Sequence, residues 1–345
     1  LNMKVLDSVK IADDLIRSYW HPIGHKSELA CDRDFIRFEI KDFEVVVIND
    51  KGNFVAFDNL CPHRGARFFT EDFGNQFVKC LYHGWSYSRG KVNVAGVKNF
   101  QGCGIEHAAL NEFRLETCGD FLFFAIAPKS SLEEQLGQEV FSILQRISGD
   151  IDSCADFNRY PFQCDWTIAL ENALEPYHIP MIHTETLATL QLGVGVNDFF
   201  AENSIWYSPV ENEKVAKRLN SLNRFYATTD PFQGYMSIFL FPFSMISSTF
   251  GYSYSVQNFF PSLSTQSTFF TSRLYPAKNS EPRFKDMTSA FVQSSADINR
   301  KIFDEDHQIC RRIPSTSWST SPPKFTSTLE QKLLHFRASC AQWNK

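Results

Sequence analysis

Two short stretches, Cys61-Pro62-His63-Arg64-Gly65-Ala66 and Cys80-Leu81-Tyr82-His83-Gly84-Trp85, restrict this chain more than anything else in it. Each offers one thiol and one imidazole: Cys-x-His, then sixteen residues, then Cys-x-x-His. Two Cys and two His also make a tetrahedral structural zinc site, but zinc modules normally pair Cys with Cys and His with His. One of each per loop suits a cluster of two inequivalent irons, one held by thiolates and the other by neutral imidazoles. That ligand set raises the reduction potential above that of an all-thiolate cluster. Gly65 and Gly84 let the backbone fold close to the sulfides, and Trp85 is expected to wall off solvent. Short β-rich runs surround the loops, at 35–40, 44–48, 54–57, 77–80 and 121–127, with turn signals such as Asn49-Asp50-Lys51-Gly52 between them. They predict a small antiparallel β domain ending near Pro128.

A second stretch carries metal-ligand spacing. In Glu171-Asn172-Ala173-Leu174-Glu175-Pro176-Tyr177-His178-Ile179-Pro180-Met181-Ile182-His183, two histidines lie five residues apart with a carboxylate three residues before the first. The preceding residues are helix formers, so a helix runs into a turn loosened by proline. His178 and His183 can then converge on one ion, and one distant carboxylate completes a 2-His-1-carboxylate iron site. Taken alone, two histidines near a helix end are more often ordinary hydrogen-bonded residues. The helix expected at 130–148 opens the second part of the chain. The runs 237–243, 247–260 and 266–275 read as three antiparallel strands, 281–313 as a long helix, and 325–342 as a last one. Residues 8–20 read as a short amphipathic helix.

Taken together, the two loops resemble the Rieske motif of the Rieske non-haem iron oxygenases, and Tyr19-Trp20-His21-Pro22 resembles that family's lead-in. The motifs are short, but the resemblance runs over essentially the whole chain. It implies an α+β fold with an N-terminal Rieske [2Fe-2S] antiparallel β domain at 17–128. A C-terminal helix-grip (START-like) catalytic domain follows at 129–345, its antiparallel sheet wrapped around a long helix, with residues 1–16 packing on it. The implied cofactors are a [2Fe-2S] cluster on Cys61, His63, Cys80 and His83, and a mononuclear Fe(II) on His178, His183 and a downstream acid. Relatives end the long helix with that acid; Asp306 fits best and Asp304 is the runner-up. Asn172 is expected near the iron. Glu175 stands where relatives usually carry Asp, a residue that bridges the iron-site histidine to a cluster histidine of the neighbouring subunit. Its extra methylene re-aims the bridge by about 1.5 Å, and the route implies a closed homotrimer. The segment 90–104 lacks the proline that relatives often carry over the cluster.

The activity so implied is that of a terminal oxygenase component, using O2 and externally supplied electrons to hydroxylate or oxidatively demethylate a small organic substrate. The alternative is cis-dihydroxylation of an aromatic ring. Two readings without catalysis compete: a Rieske electron carrier, which needs only about a hundred residues, and a ligand-binding helix-grip protein. The sequence holds no GxGxxG loop and no plant-type ferredoxin pattern, so a separate NAD(P)H-dependent reductase, with or without a ferredoxin, is expected. A net charge of -5 argues against nucleic acid as partner. No apolar run reaches eighteen residues, which argues against a membrane span. Leu1 to Lys10 lacks a signal-peptide layout, and nine scattered cysteines suit a reducing compartment, so a cytoplasmic location is expected. The 34 phenylalanines mostly fill core; Phe239, Phe250 and Phe259 are candidates for a pocket wall.

Overall fold

Asp7 starts the first helix by accepting the backbone N–H groups of Val9 and Lys10 at 3.0 and 3.2 Å. This helix, α1 (Ser8–Ser18), buries Ile11, Leu15 and Ile16 on one face. The computed structural model describes residues 6–229 and 232–343.

The first sheet is built from β1 (His21–His25), β2 (Asp34–Ile40), β3 (Phe43–Asp50), β4 (Asn53–Asp58) and β5 (Phe73–Asn75). A separate two-stranded ribbon, β6 (Ser86–Ser88) with β7 (Lys91–Asn93), follows the second Cys-His loop. Strands β8 (Glu112–Cys118) and β9 (Phe121–Ala125) return to the sheet, giving the antiparallel order β1-β9-β8-β4-β3-β2-β5. The run at 77–80 is not a strand. Phe77 lies on the surface, and Lys79 makes only an isolated bridge to Ser86. The backbone there is committed to presenting Cys80 instead.

Ser131 and Glu134 form a reciprocal capping box at the start of α2 (Leu132–Asp150), which leads into the second half. There follow β10 (Asp156–Phe162), α3 (Trp166–Leu174), α4 (Ile179–Ile182), β11 (Val196–Phe200), β12 (Asn203–Pro209) and α5 (Glu213–Asn220). Four longer strands come next: β13 (Gly234–Leu240), β14 (Ser244–Thr249), β15 (Ser253–Pro261) and β16 (Thr268–Pro276). The chain closes with α6 (Lys285–Cys310), α7 (Ser317–Thr320) and α8 (Gln331–Ala341). The second sheet is antiparallel, ordered β10-β16-β15-β14-β13-β12-β11, and α3 and α6 pack against it. This is the expected helix-grip arrangement, with one correction. The run 247–260 is two strands, because Phe250 and Gly251 both take positive φ, at 61° and 74°, and reverse the chain.

The two halves share a core. Phe38 and Val45 of the first sheet, Phe260 of the second, Phe241 and Phe243 of the β13–β14 turn, and the apolar face of α1 belong to one buried cluster. Polar contacts lock the seam: Arg273 donates to Glu28 at 3.0 Å, Tyr275 donates to the same carboxylate, and Asn258 donates to the Pro22 carbonyl at 2.7 Å. Ser8 on α1 also donates to Asp165, the N-cap of α3, at 3.1 Å. The α3 helix that leads to the histidine pair is thereby fixed at its start.

Candidate metal centres and active site

The two Cys-His loops are near copies of each other in backbone. Cys61 N–H donates to the Ala66 carbonyl at 2.9 Å and Cys80 N–H to the Trp85 carbonyl at 2.7 Å. Gly65 and Gly84 each donate back to the cysteine carbonyl of their own loop at 2.9 Å. Both glycines sit at positive φ, 71° and 76°, where a side chain would be strained. The loops bring the four side chains together as two matched pairs. Cys61 and Cys80 are buried and within hydrogen-bonding reach of each other, and burial pushes the Cys61 thiol up. The Nδ1 atoms of His63 and His83 face one another at 3.1 Å. Two thiols on one side and two imidazole nitrogens on the other form the donor set that a cluster of two unlike irons takes. Trp85 is buried and stacks on His63 with ring centroids 4.9 Å apart, so it covers that histidine alone. His83 remains exposed.

The second centre forms where α3 ends. Glu175 caps α3 in extended conformation, and Pro176 prevents the helix from continuing. His178 then precedes the single turn of α4, and His183 follows it. Their Nε2 atoms come within 3.1 Å of each other, and Asp306 on α6 brings Oδ1 to 3.0 Å from His183 and 3.5 Å from His178. Asn172 donates to that same Asp306 oxygen at 2.8 Å. Asp304 lies elsewhere: it accepts the Tyr160 hydroxyl at 2.7 Å on another face of α6. The outward nitrogens are held too, His178 Nδ1 by Glu175 at 2.7 Å and His183 Nδ1 by Glu305 at 2.8 Å.

Charge in this cluster is unbalanced in a way that suits a cation. Burial opposes ionisation of Asp306, yet His178 and His183 override it and hold its pKa down at about 2. Burial likewise opposes protonation of His178, yet Asp306 and Glu175 hold it up at about 9. The three donor atoms converge on one point, and the carboxylate holds protons on the imidazoles there. A divalent metal would take the place of protons at that point.

No motif in the sequence marks Glu305 as a site residue. It pins the ring of His183 and also accepts the Thr186 hydroxyl at 2.7 Å. Carboxylates so placed orient a metal-binding imidazole and raise its basicity. Glu305→Ala is expected to weaken Fe(II) binding about 10–100-fold without altering the cluster loops. Competition with a chromophoric chelator measures this, and unchanged affinity would remove Glu305 from the site.

Two family models match the chain: a Rieske [2Fe-2S] domain over residues 19–103, and the catalytic domain of the ring-hydroxylating alpha subunit over 151–345. The chain is a member of the ring-hydroxylating alpha-subunit family. Among its relatives are the chloroplastic choline monooxygenase of Arabidopsis thaliana, 26% identical over 54% of this chain and 48% of that one. The carnitine monooxygenase oxygenase subunit of Escherichia coli K12 is 30% identical over 50% of this chain and 47% of the relative. The chain spans about half the length of these relatives. Its fold matches a quaternary ammonium Rieske monooxygenase solved with L-carnitine, at a TM-score of 0.75 and 18% identity, covering 99% of this chain and 94% of that one. It also matches the naphthalene 1,2-dioxygenase of a Rhodococcus species bound to indole, at a TM-score of 0.73 and 16% identity, covering 98% and 92%.

The histidine-aspartate cluster opens on a cavity of about 310 Å³, within the range of small-molecule sites. Phe259, Phe270 and Phe303 line it near the cluster, and Ser237, Ser247, Ser255 and Gln257 line it along the sheet. Phe259 was expected there; Phe239 and Phe250 do not line the cavity. Phe239 is covered by Phe336 of α8, with ring centroids 5.8 Å apart. Phe250 is used up in the β14–β15 turn against Tyr252. No helix among the described residues is long and apolar enough to cross a membrane.

Proposed function

We propose that this chain is a terminal oxygenase component that hydroxylates or oxidatively demethylates a small organic molecule. The observation that carries the reading is the convergence of His178, His183 and Asp306 on the wall of a cavity, in a chain that also carries the paired Cys-His loops. When bound, a [2Fe-2S] cluster on Cys61, His63, Cys80 and His83 supplies electrons one at a time, and an iron on the triad activates O2.

The remaining roles belong to the chain itself. Glu175 and Glu305 fix the two imidazoles so that both Nε2 lone pairs aim inward, and Asn172 holds Asp306 in place. The cavity keeps substrate beside that triad and away from bulk water. Its phenylalanine wall also suits an aromatic ring, so cis-dihydroxylation is the second reading. A separate NAD(P)H-dependent reductase, with or without a ferredoxin, is the proposed source of electrons.

Exposed apolar residues support a homotrimer. Leu81 and Tyr82 flank His83, and Tyr177 and Met181 flank His178; they are 92%, 58%, 61% and 79% exposed. Uncovered apolar side chains at both ends of an electron route fit a head-to-tail contact, which closes into a ring. A fully active monomer in sedimentation would sink the trimer.

The decisive experiment is iron and acid-labile sulfide on anaerobically purified protein, with EPR after dithionite reduction. About three irons and two sulfides per chain are expected. Two irons, with no uptake of added Fe(II), would leave a carrier or a binding protein.

A further inference from the structure

Lys332 on α8 is 2% exposed, and no carboxylate pairs with it among the described residues. Its ammonium donates to the Ser237 carbonyl at 3.1 Å and to the Ser237 hydroxyl at 3.0 Å. A buried ammonium without a counterion is costly, so its retention calls for a compensating partner. Ser237 lines the cavity, and no Arg or Lys among the described residues does. The hydroxyl of Ser237 is itself poorly used. It donates to the Met245 thioether at 3.2 Å, a weak acceptor that a better one would displace. Neighbouring strands extend the polar surface: Gln257 donates to the Ser247 and Ser255 hydroxyls, both at 3.3 Å. One wall of the cavity is therefore apolar and beside the triad, and another is a hydroxyl surface backed by the buried Lys332 amine.

We propose that Ser237, with the Lys332 ammonium behind it, is the subsite for an anionic group, and that the substrate is a small organic acid. Its carboxylate accepts the Ser237 hydroxyl, and its oxidisable carbon reaches toward His178, His183 and Asp306. The inference rests on reading the cavity as the substrate chamber. Burial alone pulls the Lys332 amine down to about 7, so a carboxylate bound at Ser237 would favour its charged form. Lys332 acts through Ser237 and is a positioning residue.

The test is calorimetric binding of matched acid and amide pairs, benzoate with benzamide and hexanoate with hexanamide, to the full chain. The wild type is expected to bind each acid at least tenfold tighter than its amide. Lys332→Met is expected to erase that preference while amide affinity stays within twofold, which also reports an intact cavity. Ser237→Ala should reduce the preference by a smaller factor, and it decides the matter if Lys332→Met fails to fold. Equal affinity for acid and amide in the wild type, including no binding of either, overturns the proposal. So does a preference that survives both substitutions. Because the readout is binding, a chain that prefers the acids yet holds only the cluster irons sinks the oxygenase reading and leaves this subsite standing.

Discussion

Asp306→Ala is expected to strip the mononuclear iron and lower turnover below about one hundredth of wild type, while the cluster's EPR signal persists. The bound is set by what even supporting partners of a metal ligand cost, about 10–100-fold; a lost ligand should cost more. Among the described residues, Asp306 is the one carboxylate whose oxygen reaches both Nε2 atoms, at 3.0 and 3.5 Å. Without it two imidazoles and no carboxylate oxygen face the ion's position, and Asn172 loses its acceptor. The Cys-His loops lie in the other half of the chain, so their iron should stay. Asp304→Ala is the matched control: it removes the acceptor of the Tyr160 hydroxyl and should leave iron content and turnover near wild type. The measurement is iron per chain with O2 consumption in the presence of substrate. Retained third iron and turnover in Asp306→Ala would remove this residue as ligand, and loss in Asp304→Ala instead would point to the runner-up.

The choice between Asp304 and Asp306 shows where sequence reading stops. Two residues on a helix differ by about 200° in direction, so only one can face His178 and His183. The acidic run Asp304-Glu305-Asp306 does not say which. The same rotation hides Glu305, whose role depends on α6 presenting it to His183 while Asp306 faces the pair. The Cys-His loops were legible because their chemistry lies in residue types at short spacing, and the histidine pair because five residues span one turn of backbone. The cavity wall was not. Phe239, Phe250 and Phe259 look alike as letters, yet one is under α8, one is in a turn, and one faces the cavity. Ser237 and Lys332 are 95 residues apart, and nothing local in either marks the contact. The β14–β15 turn was missed because strand-forming residues surround Gly251 on both sides, leaving that glycine as the single local signal.

Glu175→Gln is the second variant with a large expected effect, and its signature differs from that of Asp306→Ala. The Glu175 carboxylate uses both oxygens: Oε1 meets His178 Nδ1 at 2.7 Å, and Oε2 accepts the Tyr177 and His178 backbone N–H groups at 2.5 and 3.1 Å. An ionised carboxylate can accept at about four sites, so one acceptor direction remains free for the cluster histidine that the proposed trimer would bring to it. An amide has only one oxygen. If that oxygen serves the backbone, its NH2 opposes the imidazole N–H; if it serves His178, the backbone groups lose their partner. Either way the charge that would link two imidazoles is gone. With Asp306 and His183 still in place, the iron should remain in Glu175→Gln, loosened by about the 10–100-fold typical of a lost supporting partner. Transfer from the cluster should fall by about a hundredfold or more, read as slower single-turnover reoxidation of the reduced cluster with iron and substrate saturating. Glu175→Asp keeps the charge but shortens the reach by about 1.5 Å, so it should recover part of the rate. Reoxidation at the wild-type rate in Glu175→Gln would place the electron route elsewhere, and loss of iron with no defect on reloading would leave Glu175 as a support for His178 alone.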